Sequence, residues 1–541
     1  MKEKSVPCKS WVKRPETRAC AFLFVLVLSV CLLTSSGRVR SDGYFSFVAA
    51  TELLAGRPPV VRSLPYAETR APIGATGEQY AQYGPGWTAT MIPAMLVANI
   101  VRAKLYVPPE SRFLQMAVSS TNSIISALAC VALYLLAREL GYRRRTGVVL
   151  SLSLAFGTMM WSYSREMFSE PACTLAIIAA AFFGQRYRST GAARLLLLCG
   201  VSVAYAISLK VYWLLLVPFV AGWLVHACLR DRKGKAKVAA ELAVFLLPVA
   251  IGLVGLAVFS KLSFGSFVAL GYLRGRFSMG KLLSSFYSLP PYVGVLGLLV
   301  SPGKSVFLYC PPLIVAVFGI RRFWKREPVL AGWMFGLVVF YVLFFGAREH
   351  WDGGHSWGPR YLLPLVPLML LPLAELIDGE RVAAFTKLST GTSLMAGVLV
   401  QVPNLFIYFG TYMKALIRYD ELALGELYFV PNLSPIIGGW RLLLGAFHNA
   451  FTGEPQFLYP VKLVRDAPDS LTPVYIRNFG ALWDSWINIL RTSGITAGLP
   501  GKMLVICCVT GSVILALWAA RGLIRLLRDE RAASVGSCEG Q

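Results

Sequence analysis

Charge is scarce in this sequence. Only 15% of its residues are charged, while 56% are hydrophobic; a soluble globular chain averages about 25% charged residues. With a mean hydropathy of +0.59, so much apolar surface cannot be hidden in a water-soluble core, and lipid is the expected solvent. Metal-module patterns are lacking too. Four histidines and eleven cysteines form no CxxC pair and no cysteine–histidine cluster. Most cysteines fall within apolar runs, among them Cys130, Cys199, Cys507 and Cys508, which argues against a disulfide framework or a zinc module. No internal repeat is visible, which weighs against inverted-repeat transporters. Acidic residues are the rarer charge, 28 against 53 basic, for a net charge of +25. That excess does not mark a nucleic-acid partner. The basic clusters sit in short loops beside apolar runs, as membrane orientation and anionic lipid require.

Apolar runs continue almost from end to end. They predict an all-α polytopic membrane protein of about 12 transmembrane helices, with further helices lying on its outer face. The spans read at about 19–36, 114–137, 146–162, 171–185, 194–209, 211–228, 238–260, 292–320, 329–346, 361–377, 386–410 and 501–522, against the roughly 17–25 residues that a crossing needs. The span at 292–320 is broken by Ser301, Pro302, Gly303, Pro311 and Pro312 and is expected to bend before crossing once. Alternation then places every basic cluster on one side, from Lys2–Arg18 through Arg138–Arg145, Arg186–Arg194, Arg230–Lys237, Arg321–Arg326 and Arg381–Lys387 to Arg521–Arg531. The positive-inside rule makes that side cytoplasmic, with both termini there, in a plasma (inner) membrane of bacterial type. A cleaved signal peptide at the N-terminus is the alternative for the first run, but Thr34-Ser35-Ser36-Gly37 lacks a clear small-x-small site. The stretch 87–101 is apolar enough to cross. Counting it would invert every later loop, so it reads as a helix lying on the outer surface with Trp87 at the interface.

The segments 37–113, 163–170, 261–291, 347–360 and 411–500 thus fall on the periplasmic or extracellular face. The chain divides into a transmembrane core at 1–410, an outer region at 411–500 and a last helix with its tail at 501–541. Asp42 follows the first helix within about two turns of the membrane surface. It reads either as the N-cap of a helix over 43–55 or as a carboxylate acting on a lipid-borne substrate. Glu166 and Glu170 share a tight turn with Arg165, and Pro171 suits the first turn of the next helix. Glu170 could equally be a charge favoured by that helix dipole. Lys210 tips a short hairpin, where it can snorkel or meet an anionic phosphate. Residues 348–361, Arg-Glu-His-Trp-Asp-Gly-Gly-His-Ser-Trp-Gly-Pro-Arg-Tyr, mix charge, aromatics and turn-forming glycines beyond what a solvated loop needs. Arg348 and Arg360 could grip phosphate. The spacing of His350, Asp352 and His355 is a loose metal-ligand pattern, so a divalent cation is a possible cofactor.

Together these features resemble the C-type glycosyltransferase superfamily, in the bacterial branch similar to protein mannosyltransferases and aminoarabinose lipid A transferases. The resemblance is carried by Asp42-Gly43-Tyr44, Tyr83-Gly84-Pro85-Gly86, Tyr163 to Pro171, Ser301 to Tyr309, Gly354 to Tyr361 and Pro431 to Pro435, and spans about 35–440. It implies a polyprenyl-phosphate sugar as donor and a glycan, lipid or protein as acceptor. Asp42 would be the general base and Glu166 or Glu170 the second-loop acid. Lys210, Arg348, Arg360 and Lys304 would neutralise the departing phosphate, and Tyr83, His350, Asp352, His355 and Trp357 would line the substrate. Many relatives carry two acids in tandem at the first site, whereas Ser41 precedes Asp42 here. Direct displacement by an acceptor hydroxyl would invert the anomeric centre. The rival readings are a transporter or flippase, which would put ionisable groups at mid-membrane depth, and a ligase of lipid-linked glycans.

Overall fold

The computed structural model describes residues 14–61, 71–104, 112–230, 234–268, 290–354, 356–379, 382–410, 412–413, 428–452, 484–492 and 498–536. Within them the chain is helical, and besides helices there are only two isolated β-bridges, Val60 to Tyr80 and Ile73 to Gln79. His355 lies outside the described residues, as does most of 411–500 and of 261–291.

Seven of the described helices are long and apolar enough to cross a membrane: Pro15–Leu33, Phe113–Glu139, Val211–Arg230, Lys235–Phe264, Pro328–Gly346, Arg360–Ile377 and Gly501–Glu530. Lys235–Phe264 turns Leu247, Ile251, Val254, Val258 and Leu262 outward. An exposed apolar face of that extent suits acyl chains rather than water. The remaining expected spans correspond to shorter or less apolar elements: Arg144–Phe156, Glu170–Thr190, Ala193–Leu209, Pro291–Val300 and Ala384–Phe406. The run at 292–320 is broken as its prolines required. Pro291–Val300 ends at a turn over 301–305, and Val306–Tyr309 and Pro312–Val317 follow as separate short helices. Arg360–Ile377 alternates 3-10 and α turns, because Pro364, Pro367 and Pro372 cannot donate backbone hydrogen bonds.

Charged groups separate into two ends. At one, Glu16 accepts from Tyr134 (2.5 Å), Arg138 (3.1 Å) and Arg144 (3.0 Å), Arg186 pairs with Glu139 at 2.8 Å, and Arg326 with Glu375 at 3.7 Å. The basic residues among these, Arg138, Arg144, Arg186 and Arg326, are ones that alternation assigns to the cytoplasmic loops. At the other end Ser35 meets Ser119 at 3.4 Å, so the first helix leaves where Phe113–Glu139 begins. One crossing therefore separates Ser119 from Arg138, and Pro85–Lys104 is not needed in the count. Trp87 differs from its expected interfacial position. It is 2% exposed, and its indole N–H donates to the Met167 carbonyl at 3.1 Å.

Candidate active site

Two close backbone approaches gather the site. Gly43 lies in the first turn of the helix Ser41–Leu54, and a Cβ there would meet the Met167 carbonyl at 2.3 Å. Only glycine lets this helix lie against the 163–170 turn. A Cβ on Gly84 would likewise meet the Ser208 carbonyl at 2.1 Å, so Tyr83 is delivered beside Lys210. These contacts give a physical reason for the Asp-Gly and Tyr-Gly pairs.

Asp42 is not an N-cap. The helix begins at Ser41, its N-cap position is Arg40, and no side chain caps it. The Asp42 oxygens are used elsewhere: Oδ1 accepts from the Tyr83 hydroxyl at 2.6 Å and Oδ2 from Arg360 Nη1 at 3.0 Å. Burial pushes the Asp42 carboxyl up, but the Arg360 guanidinium, the Lys210 ammonium and the Tyr83 O–H together hold it below its ordinary value. Arg360 Nε lies 3.9 Å from Glu170 Oε1. Glu170 opens the helix Glu170–Thr190 and is fully buried, and neither of its carboxylate oxygens has a hydrogen-bond partner among the described residues. One guanidinium therefore bridges two carboxylates from distant segments. It rests on the Phe168 ring, 4.9 Å from the centroid. Lys210, 4% exposed, lies over the Tyr83 ring at 5.1 Å.

Glu166 belongs to a different group. Arg40 grips Asp484 bidentately at 2.9 and 2.6 Å. The fully buried Arg165 reaches Asp484 Oδ2 at 3.2 Å and donates to the carbonyls of Thr34, Asn404 and Asp484. Burial first, then the Asp484 carboxylate, pushes the Glu166 carboxyl up to about 7, against the pull of Arg40 and Arg165. The folded protein thus holds this proton more tightly than the unfolded chain, where the group titrates near 4.5. Its contribution to stability is complete below the unfolded value and is lost as pH rises through about 7. Glu166→Gln is therefore expected to flatten the decline in stability between pH 5 and about 7.5, measured by thermal unfolding in detergent. Parallel wild-type and variant profiles would contradict the assignment.

Lys304 is held within the loop that leads to Arg360. It is fully buried, and its ammonium donates to the carbonyls of Gly354 (3.2 Å), Ser356 (2.8 Å) and Gly358 (3.2 Å). Those donors are spent on the loop that leads to Arg360. Lys304→Met removes the donor to the buried Ser356 carbonyl, at about 1–3 kcal/mol, while the Gly354 and Gly358 carbonyls keep the N–H groups of Ser356 and Arg360. The expected result is a lower unfolding temperature together with weaker function; a variant as stable as wild type would contradict it.

Arg348 lies 5.8 Å from the centroid of the Tyr361 ring, which Arg360 also approaches, at 5.2 Å. His350 is exposed and Asp352 buried. Trp357 is 4% exposed, with its indole donating to Gln401 Oε1 at 3.0 Å and its carbonyl accepting from Tyr163 at 3.0 Å. Among the described residues no three His, Cys, Asp or Glu side chains gather as a metal site. The position between Asp42 and Glu170, where a divalent cation would bridge two carboxylates, is taken by Arg360, so this pair does not fit a metal centre as arranged. Sequence reasoning missed Asp484, Asn404 and Arg40. A signal existed for Asn404, since it and Gln401 are amides inside an otherwise apolar run.

Residues 106–270 match the family described as dolichyl-phosphate-mannose-protein mannosyltransferase. No curated protein sequence matches the chain. Among solved structures, it is similar to the oligosaccharyltransferase of Archaeoglobus fulgidus in its apo form (TM-score 0.48, 12% identity, 77% of this chain and 60% of that one). It is also similar to the same organism's AglB bound to an inhibitory peptide and a dolichol-phosphate (TM-score 0.44, 11% identity, 77% and 59%). ArnT from Cupriavidus metallidurans, bound to undecaprenyl phosphate, is a further likeness (TM-score 0.42, 14% identity, 80% and 71%). The chain spans about 60% of the length of the archaeal oligosaccharyltransferase, and at these identities the likeness says nothing of substrate. The matched stretch carries Glu166, Glu170 and Lys210, and over it the chain is similar to that mannosyltransferase family.

Proposed function

We propose that this chain is an integral membrane glycosyltransferase that moves a sugar from a polyprenyl-phosphate carrier to an acceptor hydroxyl on the non-cytoplasmic face, with inversion. The observation that carries the reading is the bridge made by Arg360 between Asp42 and Glu170, with Lys210 beside it. Two carboxylates and two cations at one end of the helices are what phosphate departure coupled to proton removal requires.

The acceptor oxygen attacks the anomeric carbon as the bond from that carbon to the phosphate oxygen breaks. The electron pair of the breaking bond leaves with the polyprenyl phosphate, and the acceptor proton passes to a carboxylate. Cations near the phosphate stabilise its growing charge more in the transition state than in the ground state. In the resting arrangement Arg360 suppresses the basicity of Asp42. An incoming phosphate competes for that guanidinium, and Asp42 becomes a stronger base as it does so. Glu170, with both oxygens free to accept, orients the acceptor hydroxyl. No cation is required in this scheme beyond those the chain supplies.

The test is transfer by the purified protein in bilayers, with polyprenyl-phosphate hexoses and pentoses offered as donors. Turnover with any of them supports the reading. Transport of the intact lipid-linked sugar without bond cleavage would replace it with the flippase reading, and transfer of a whole glycan would replace it with the ligase reading.

A further inference from the structure

One buried carboxylate has no part in the chemistry above. Asp484 opens the described segment 484–492, 444 positions from Arg40 and 319 from Arg165. It is 3% exposed, and both of its oxygens are engaged. Oδ1 accepts from Arg40 Nη2 at 2.6 Å, while Oδ2 accepts from Arg40 Nη1 at 2.9 Å and from Arg165 Nη2 at 3.2 Å. Arg38 Nε stands 4.0 Å from Oδ1. One carboxylate thus faces three guanidiniums, and its two-pronged grip on Arg40 fixes direction as well as distance.

The two cations that Asp484 grips lie on the segments that carry the acid pair. Arg40 is two residues before Asp42, at the N-cap position of the helix Ser41–Leu54. Arg165 is five residues before Glu170, in the turn that leads into the helix Glu170–Thr190. The backbone around Asp484 is pinned as well. Its own N–H donates to the Phe406 carbonyl at 2.8 Å, and the Trp486 N–H donates to the Ser35 carbonyl at 3.2 Å. The Ser36 hydroxyl in turn donates to the Arg165 carbonyl at 3.0 Å. The close approach of Gly43 to Met167 limits how near the two acid-bearing segments come. The grip of Asp484 stops them from separating. Apolar side chains in place of a buried ion cluster are often no less stable, so what this cluster supplies is direction. Direction matters here, because displacing a reacting group by about 1 Å can cost about a hundredfold in rate.

We propose that Asp484 is a positioning residue: it holds Arg40 and Arg165 on one carboxylate and so fixes Asp42 and Glu170 about Arg360, without touching substrate. The effect on catalysis rests on the transferase reading, whereas the clamp itself does not.

Asp484→Asn and Arg40→Gln test the proposal with the full chain in nanodiscs. Asparagine keeps the shape of the side chain and removes its charge. Arg40→Gln alters a side chain that is 22% exposed and leaves Asp484 paired with Arg165, so it serves should Asp484→Asn fail to fold. Thermal unfolding fixes a temperature at which each variant is fully folded. At that temperature, hydrogen exchange is expected to rise at residues 36–46 and 163–170 in Asp484→Asn, and only at 36–46 in Arg40→Gln. The single-turnover rate with saturating polyprenyl-phosphate hexose is expected to fall by about ten- to a hundredfold, with affinity for that donor within about threefold of wild type. A brace that serves folding alone would lower the unfolding temperature and leave this rate unchanged. That outcome overturns the proposal, as does unchanged exchange in both segments, or a loss that lies entirely in donor affinity. Absence of transfer by the wild-type protein refutes the transferase reading instead, and the exchange pattern then decides the clamp.

Discussion

Asp42→Asn is expected to lower sugar transfer by about two to four orders of magnitude in kcat while leaving donor affinity within about threefold. The magnitude is that of a general base in a reaction whose nucleophile is a neutral hydroxyl. Asparagine keeps the shape and an acceptor for the Tyr83 hydroxyl, which now sits at 2.6 Å from the carboxylate. It cannot take a proton at any working pH. The single-turnover rate with a saturating lipid-phosphate donor is the measurement, because it separates chemistry from binding. A variant that transfers at the wild-type rate removes Asp42 from the base role and leaves Glu170 as the carboxylate to test. A variant impaired only through weaker donor binding makes Asp42 a positioning residue that sets Arg360.

Arg360→Met carries the second large effect, on stability and on transfer together. The guanidinium is paired with Asp42 at 3.0 Å and lies 3.9 Å from Glu170, with 13% of its side chain exposed. Removing one partner of a largely buried ion pair costs about 3–5 kcal/mol, because the charge left behind has no compensation. Here two carboxylates would be left facing each other. The expected result is a large fall in unfolding temperature and loss of measurable transfer. Asp42→Asn combined with Arg360→Met should recover part of the stability, since it neutralises one of the two carboxylates that the guanidinium offsets. The double variant should recover none of the activity. Recovery of transfer would mean that the pair is structural, and a single variant as stable as wild type would mean that solvent already screens it.

Residues that alternation groups at one end of the helices also meet in the fold. Glu16, Arg138 and Arg144 converge although 128 positions separate the outermost two, and Asp42 and Arg360 converge across 318. Reading this from sequence was possible because lipid forces a regular alternation on the chain: each crossing is long and apolar, and each short inner loop accumulates positive charge. Where prolines interrupt that regularity, at 292–320 and 361–377, the element type was legible and the backbone path was not.

The sequence by itself determined the membrane-embedded, helical class of this protein and which of its acids and cations gather at a common end. Hydropathy and charge are properties of the local chain, and a bilayer reads them locally. Only the tertiary structure decided how the gathered residues pair. It gave Asp42 to Arg360 and Tyr83 rather than to a helix cap, set Glu170 beside Arg360 and Glu166 among Arg40, Arg165 and Asp484, and spent Lys304 on the carbonyls of a loop. Those choices depend on which backbones can touch. They were settled by glycines at 43 and 84 pressed against Met167 and Ser208, contacts between segments whose spacing along the chain carries no trace of the distance between them.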